Sequence, residues 1–224
     1  MIPVTLQTEP PQFDAKVRVP GNTFLASCPL PSAKDWKKHN YWRHVNCEMY
    51  QFYQGVCAYT GGWFPQQSAQ VSLQPSIDHF LPKSQYPQFA YEWHNYRLTT
   101  HKTNNYKADN EGIVDPFCIK LGWFTLILPS CLIEPGSEIT AHEREMIAHT
   151  ISVLKLNDDD IFVDSRCGII QSYIEGSFMA TDMQRKYPFI ASELKRQDLL
   201  DIEKLKLIFK PLCQKLRVNQ LATT

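Results

Sequence analysis

Two stretches decide the fold: IDHFLPK at residues 77–83 and WHNYRLTTHKTNNYK at residues 93–107. The first is mostly apolar and is stopped by Pro82, which has no amide donor, so it predicts a short strand. The second ends in a polar segment that predicts a short helix from about Lys102 to Lys107. The side chains of these two stretches that can act on a phosphodiester are therefore expected on a strand and a helix that lie close together in the sequence.

Each of these side chains suits one step of phosphodiester hydrolysis. Asp78 is a hard oxygen ligand for Mg²⁺, and Asn104 offers an amide oxygen as a second ligand. On an extended strand His79 points away from Asp78, so it can face the substrate and take a proton from water. Lys107 follows Asn104 by one helical turn and can meet a phosphate. Asn95 can hydrogen-bond either to backbone or to the imidazole, which would fix its orientation.

The order and spacing of these residues resemble the HNH endonuclease family, the ββα-metal nucleases. The matching positions are Asp78-His79 with Pro82, then Asn95 with Leu98, and last Asn104 with Lys107. The resemblance covers about Cys57 to Asp109, and IDHFLPKSQYP at residues 77–87 is similar to members associated with bacterial anti-phage systems.

The resemblance implies specific roles and a cofactor. His79 would be the general base, Asp78 and Asn104 the metal ligands, and Asn95 the supporting residue of the motif. The expected cofactor is Mg²⁺, for which Mn²⁺ can substitute.

The sequence departs from the family at the positions of a structural zinc. Many HNH proteins hold zinc with two C-x-x-C pairs, and the corresponding residues here are Cys57 with Thr60 and Thr100 with Thr103. Threonine is not a usual zinc ligand, so we expect no structural zinc.

Four further side chains are candidates for nucleic-acid binding: Lys83, Arg97, His101 and Lys102. Arg97 either contacts backbone phosphate or forms a surface salt bridge. His101 either contacts a phosphate or lies on a solvated loop.

The charges are balanced overall but unevenly distributed. The 224 residues carry 23 Lys and Arg against 23 Asp and Glu, which argues against a bulk polycation that coats nucleic acid. Residues 34–107 nevertheless carry eight basic and four acidic side chains, whereas residues 108–182 carry four basic and thirteen acidic ones. We therefore expect weak, salt-sensitive intrinsic affinity for DNA, supplemented by a partner or by the basic residues 183–224.

The remaining composition indicates a cytoplasmic protein with a core of its own. Hydrophobic residues make up 43% of the chain, which rules out wholesale disorder. No apolar run approaches the roughly 20 residues that a membrane span needs, and the start lacks the pattern of a signal peptide. Seven scattered cysteines without a C-x-x-C pair are typical of reduced, mostly buried thiols.

The predicted fold class is α+β, with a small ββα-metal core. Residues 1–33, with six prolines, read as an extended arm. Residues 34–110 form the nuclease core with a leading helix, predicted from about Ala33 to Gln54 with Ser32 as N-cap. Residues 111–224 form a hairpin within 112–133 and C-terminal helices, the whole chain making one compact unit. The predicted C-terminal helices are Thr140 to about Leu156, about Asp159 to Glu175, and Ser192 to about Leu216.

The function expected from the resemblance is hydrolysis of DNA in bacterial defence against phage, with a protein partner such as an ATPase or a sensor subunit. RNA is the less favoured substrate. Two alternatives remain open: a non-catalytic nucleic-acid or partner-binding subunit with an HNH-like core, and an RNase that uses the same site. The target sequence, the trigger and the oligomeric state are not encoded in any motif that we can read.

Overall fold

The structure is a computed structural model that describes residues 1–157 and 160–209. It combines helices with two small antiparallel sheets, which confirms the α+β class. The chain divides into two compact units, Met1–Lys120 and Leu121–Thr224. None of the helices in the described residues combines the length and apolarity needed to cross a bilayer.

The boundary between the units falls later than the predicted one after residue 110. Residues that follow the predicted core pack into the first unit: Asp115 pairs with Arg97, and the carbonyl of Pro116 accepts a hydrogen bond from the Val4 amide at 3.0 Å. These tertiary contacts hold residues 111–120 to the first unit.

The first unit is a β-hairpin and a helix, preceded by a run of short helices. Its regular elements are α1 (Val19–Ser27), α2 (Ala33–Lys38), α3 (Asn46–Phe52), β1 (Pro75–His79), β2 (Tyr96–Thr100) and α4 (His101–Lys107).

Strands β1 and β2 pair antiparallel, with Asp78 opposite Arg97 and His79 opposite Tyr96. The hydroxyl of Thr100 accepts a hydrogen bond from the Thr103 amide at 3.3 Å and so caps α4 directly after the strand. The chain therefore runs strand, strand, helix through the two stretches that the sequence singled out.

Residues 1–33 are not an extended arm, because residues 14–27 are helical. A π-helical turn, Asp14–Arg18, leads into α1, and Pro20 lies in the first turn of α1, where a missing amide donor is tolerated. Phe13, Val17 and Phe24 recur at helical spacing and are buried. Packing of this apolar face outweighs the breaking tendency of the prolines.

The predicted single helix from Ala33 to Gln54 is instead broken into α2, a 3₁₀ turn at Tyr41–Val45, and α3. The start is as predicted, because Ser32 caps α2 in a reciprocal pair with Asp35. The break follows from tertiary contacts at His39. Its ring stacks on Phe24 with centroids 3.8 Å apart, and its carbonyl accepts a hydrogen bond from the Tyr91 hydroxyl at 2.7 Å.

The second unit pairs a short hairpin with helices. Its regular elements are β3 (Phe124–Ile127), β4 (Leu132–Pro135), α5 (Ala141–Val153), α6 (Asp160–Ile174), α7 (Ala180–Lys186) and α8 (Pro188–Arg196), followed by helical residues 202–209. Thr140 and Glu143 form the predicted capping box of α5. The hairpin lies slightly later than predicted, and α7 was not expected.

The predicted helix from Ser192 to Leu216 is interrupted in the structure. Helix α8 ends at Arg196, and Asp198 adopts a positive φ of 56°, which a continuous helix does not allow. The amide of Leu199 closes the end of α8 on the Leu194 carbonyl at 2.8 Å. Residues 210–216 of that prediction lie outside the described residues, as does the predicted start of α6 at Asp159.

Gly21 tests how closely α1 packs on the aromatic core. A Cβ at this position would lie 2.1 Å from Cγ of the buried Tyr91 ring. We expect Gly21→Ala to lower the free energy of unfolding by about 1–3 kcal/mol through overpacking. The matched control is Asn22→Ala on the same helix, which is exposed and should stay within about 0.5 kcal/mol of the wild type in urea denaturation. An equal effect of both variants would contradict this packing.

Candidate active site

A cavity of about 1050 Å³ lies in the first unit beside the β1–β2 hairpin. Its wall comes from α2 and the turn after it, from the loop before β1, from β1, from the turn after β1 and from α4. Five of the predicted side chains line it: Asp78, His79, Lys83, His101 and Asn104. In the described part of the chain the other four lie outside the wall: Asn95, Arg97, Lys102 and Lys107.

His79 is held by one ring nitrogen. Its Nε2 donates a hydrogen bond to the Ala90 carbonyl at 2.9 Å, so Nδ1 is the nitrogen that can accept a proton. The rings of Trp42 and Tyr96 meet the imidazole edge to face at centroid distances of 4.7 and 5.2 Å. Burial, with the nearby charge of Lys83 as a smaller cause, lowers the pKa of His79 to about 3. The imidazole is therefore neutral near pH 7.

Asn95 shapes the loop that holds the histidine. Its Oδ1 accepts from the Leu81 amide at 2.8 Å, and its Nδ2 donates to the carbonyls of Leu81 and Phe89 at 3.0 and 3.1 Å. Asn95 therefore hydrogen-bonds to backbone, which is the first of the two predicted alternatives. Because Phe89 precedes Ala90, the Asn95 amide fixes the backbone whose carbonyl orients His79.

Asp78 is a buried carboxylate with a partner on each oxygen. The Tyr59 hydroxyl donates to Oδ2, and the Lys107 ammonium lies 3.4 Å from Oδ1. Burial raises the pKa of Asp78, and the attraction of Lys107 and the hydrogen bond from Tyr59 oppose that rise. A charged group this deep needs such partners, because desolvation disfavours the ionised form.

Lys107 is therefore not a phosphate ligand, contrary to the sequence expectation. Its side chain is fully buried, and its ammonium donates to the His79 carbonyl at 3.0 Å as well as facing Asp78. Lys107 follows Asn104 by one helical turn as predicted, but its side chain contacts β1 and does not line the cavity. Lys107 acts as the internal counter-charge of Asp78.

Asn104 lines the cavity, and its amide nitrogen is held by hydrogen bonds to β1. Its Nδ2 donates to the Ser76 hydroxyl at 2.8 Å and to the Ile77 carbonyl at 3.3 Å. These bonds fix the amide plane with the nitrogen on β1, so Oδ1 is the atom left for a ligand.

The donors that line the cavity suit a hard divalent cation. A carboxylate has about four acceptor positions, so Tyr59 and Lys107 leave Asp78 able to bind an ion. The amide oxygen of Asn104 is the second hard donor. Among the described residues, three or more His, Cys, Asp or Glu side chains do not gather into a metal site, so Asp78 and Asn104 would need water to complete the coordination of an ion.

Arg97 does not face a nucleic acid, since its guanidinium is buried. It forms a bidentate pair with Asp115, with N···O distances of 2.9 and 2.7 Å, and lies between the rings of Phe80 and Phe117. Arg97 therefore forms an ion pair, as one of the two predicted alternatives stated, but the guanidinium of the pair is buried and not on the surface. The other alternative, a contact with backbone phosphate, does not fit a buried guanidinium.

The three remaining basic candidates differ in position. Lys83 lines the cavity with its ammonium 5.6 Å from the Trp42 ring centroid, and burial lowers its pKa. His101 lines the cavity from the start of α4 and is exposed. Lys102 lies 5.8 Å from the ring centroid of Tyr106 and is not one of the described residues that form the wall.

The four residues that correspond to zinc ligands in many HNH proteins form hydrogen bonds within this protein. The buried Cys57 thiol lies 3.4 Å from the Thr99 hydroxyl, and the Thr60 hydroxyl accepts from the Gly62 amide at 3.3 Å. Thr100 caps α4 through Thr103, as described above. These contacts tie the turn before β1 to the end of β2.

Sequence reasoning missed three contributors to the site: the Tyr59 hydroxyl, the Ala90 carbonyl and the Trp42 ring. Tyr59 lies two residues after Cys57, and nothing in the sequence pairs it with Asp78. Trp42 lay in the predicted leading helix with no indication that it would contact His79. A backbone carbonyl such as that of Ala90 carries no signal in a sequence.

Comparison of the chain with protein-family models gave no match, and a search of curated proteins gave none either.

The Asp78–Lys107 pair gives a stability prediction. We expect Lys107→Met to lower the free energy of unfolding by about 3–5 kcal/mol, because it leaves a buried carboxylate without its cation. Adding Asp78→Asn should restore part of the loss, since the uncompensated charge is then gone. The measurement is urea denaturation in EDTA.

Lys102→Met on the same helix is the control and should change stability by no more than about 0.5 kcal/mol. A Lys107→Met protein as stable as the wild type, or a double variant weaker than the single one, would contradict the pairing.

Proposed function

We propose that the chain is a metal-dependent endonuclease of the HNH type that hydrolyses DNA phosphodiester bonds. One observation carries the proposal: His79, fixed through Nε2, lines a single cavity together with Asp78 and Asn104, on an antiparallel hairpin followed by a helix. The sequence resemblance points to the same class of enzyme.

His79 would activate the attacking water through Nδ1. Its Nε2 is committed to the Ala90 carbonyl, so the ring cannot rotate away from this orientation without losing a buried hydrogen bond. Burial lowers the pKa of His79, so the ring is unprotonated at Nδ1 near pH 7, and the same burial makes it a weaker base than a solvated imidazole. Asn95 supports this step by fixing the adjacent backbone.

Asp78 and Asn104 would hold one Mg²⁺, with Mn²⁺ as a substitute. When bound, the ion supplies positive charge that stabilises the leaving oxygen. Tyr59 and Lys107 orient the carboxylate and favour its ionised form against the effect of burial.

The biological setting proposed here follows from the family resemblance alone. It is a cytoplasmic role in bacterial defence against phage, with DNA preferred over RNA and with a protein partner such as an ATPase or a sensor subunit. A partner is consistent with the zero net charge, which supplies little non-specific attraction to DNA.

Plasmid nicking tests the assignment. The wild-type protein should nick supercoiled DNA with Mg²⁺ or Mn²⁺ and stop in EDTA, and His79→Ala should lower the rate by about 10²–10⁴-fold, the usual contribution of a general base. His94→Ala is the matched control, because His94 is exposed and outside the cavity wall. Near-ultraviolet circular dichroism of each variant shows whether its fold is retained. Equal cutting by the wild type and His79→Ala would refute the proposal.

A second candidate, a polynucleotide-binding subunit without hydrolysis, is favoured by the engagement of both Asp78 oxygens with protein groups. A purified protein that binds DNA yet never nicks it, alone or with its partner, would support this alternative. A side-by-side digest of DNA and RNA distinguishes the proposed DNase from an RNase with the same site.

A further inference from the structure

The cavity has a second basic wall outside the ββα segment. Lys37 of α2 and Arg43 of the following 3₁₀ turn both line it, and both side chains are exposed. Neither forms an ion pair within the described residues, so their charges are available to a ligand. Lys83 adds a third ammonium on the side of the hairpin.

Little negative charge opposes these cations. The carboxylates that line the cavity in the described residues are Asp78, which faces the buried Lys107, and Asp109, which accepts a hydrogen bond from the Ser84 hydroxyl at 2.8 Å. Much of the remaining polar lining consists of neutral amides, which can pair with the edges of bases: Asn40, Asn46, Gln66, Gln67, Gln74 and Asn105. The exposed charge of the cleft is therefore positive.

Aromatic side chains stand beside the cations. Trp42 and Trp36 both line the cavity, and Trp36 is 7% exposed. The Trp36 indole N–H has no hydrogen-bond acceptor among the described residues. Cations next to aromatic rings are typical of sites for single-stranded nucleic acid.

The cavity has room for a short piece of one strand. At about 1050 Å³ it is comparable to the larger small-molecule pockets, which reach about 1,000 Å³, so a few nucleotides of a single strand fit within it.

We propose that this cleft binds an unpaired polynucleotide strand, with Lys37 and Arg43 contacting phosphates next to the segment that faces His79. The proposal rests on the proposed function for the reaction, which it directs to unpaired segments such as those that supercoiling opens in a plasmid, but the binding itself does not require hydrolysis. The shared ligand chemistry is a phosphodiester strand with accessible bases, from either DNA or RNA.

The test is fluorescence anisotropy with labelled strands of about 12 nucleotides, in EDTA so that binding is measured without cleavage. DNA and RNA strands are compared with a blunt DNA duplex of the same sequence over a range of salt concentrations. The test variant is Lys37→Gln/Arg43→Gln. The matched control is Lys34→Gln/Lys38→Gln, which removes the same charge from exposed residues of α2 that lie outside the cavity wall.

We expect the wild type to bind a single strand more tightly than the duplex. The Lys37→Gln/Arg43→Gln protein should lose at least about tenfold in affinity, and the slope of log affinity against log salt should fall by about 1.4, which corresponds to two phosphate contacts. The control should keep the affinity and slope of the wild type. Comparison of the DNA and RNA strands then identifies the preferred backbone.

Equal losses in the two double variants, or equal binding of strand and duplex, would overturn the inference. Strand binding that depends on Lys37 and Arg43 in a protein that never nicks DNA would retain the inference and refute the proposed nuclease. Nicking that depends on His79 but not on Lys37 and Arg43 would support the proposed nuclease and overturn the inference.

Discussion

The buried ammonium of Lys107 holds the candidate site together. It lies 3.4 Å from Asp78 Oδ1 and donates to the His79 carbonyl at 3.0 Å, so one side chain joins helix α4 to both residues of the Asp-His pair. A carboxylate as deep as Asp78 could not remain charged without such a partner, because the desolvation of an unpaired ion costs several kcal/mol. The Tyr59 hydroxyl completes the arrangement on the opposite oxygen.

The aromatic cluster of the N-terminal helices gives the histidine its environment. Trp42 packs on the His79 ring, and the stack of Phe24 on His39 together with the Tyr91 hydrogen bond fixes the turn that carries Trp42. Desolvation by these neighbours is the main cause of the lowered pKa. The same turn carries Arg43 to the cavity wall, and helix α2 before it carries Lys37, so one packing arrangement both buries the base and supplies cations to the cleft.

The elements whose formation depends on residues nearby in the sequence were predicted closely. Strand β1 before Pro82, the short helix α4, and the caps at Ser32 and Thr140 all follow from hydrogen bonds and periodicity within a few positions. The break at His39 and the helix at residues 14–27 were not predictable in this way, since both depend on packing against distant aromatic rings.

Within the candidate site, local sequence was enough to predict that Asp78 and His79 lie on one strand and Asn104 on a following helix, because side-chain alternation and helical spacing are set by the backbone itself. Tertiary structure decided which groups face the cavity and which are buried. Lys107 and Arg97 became internal counter-charges because Asp78 and Asp115 lie across the fold from them. Charge pairing and desolvation act through space, so a chain read residue by residue cannot assign them.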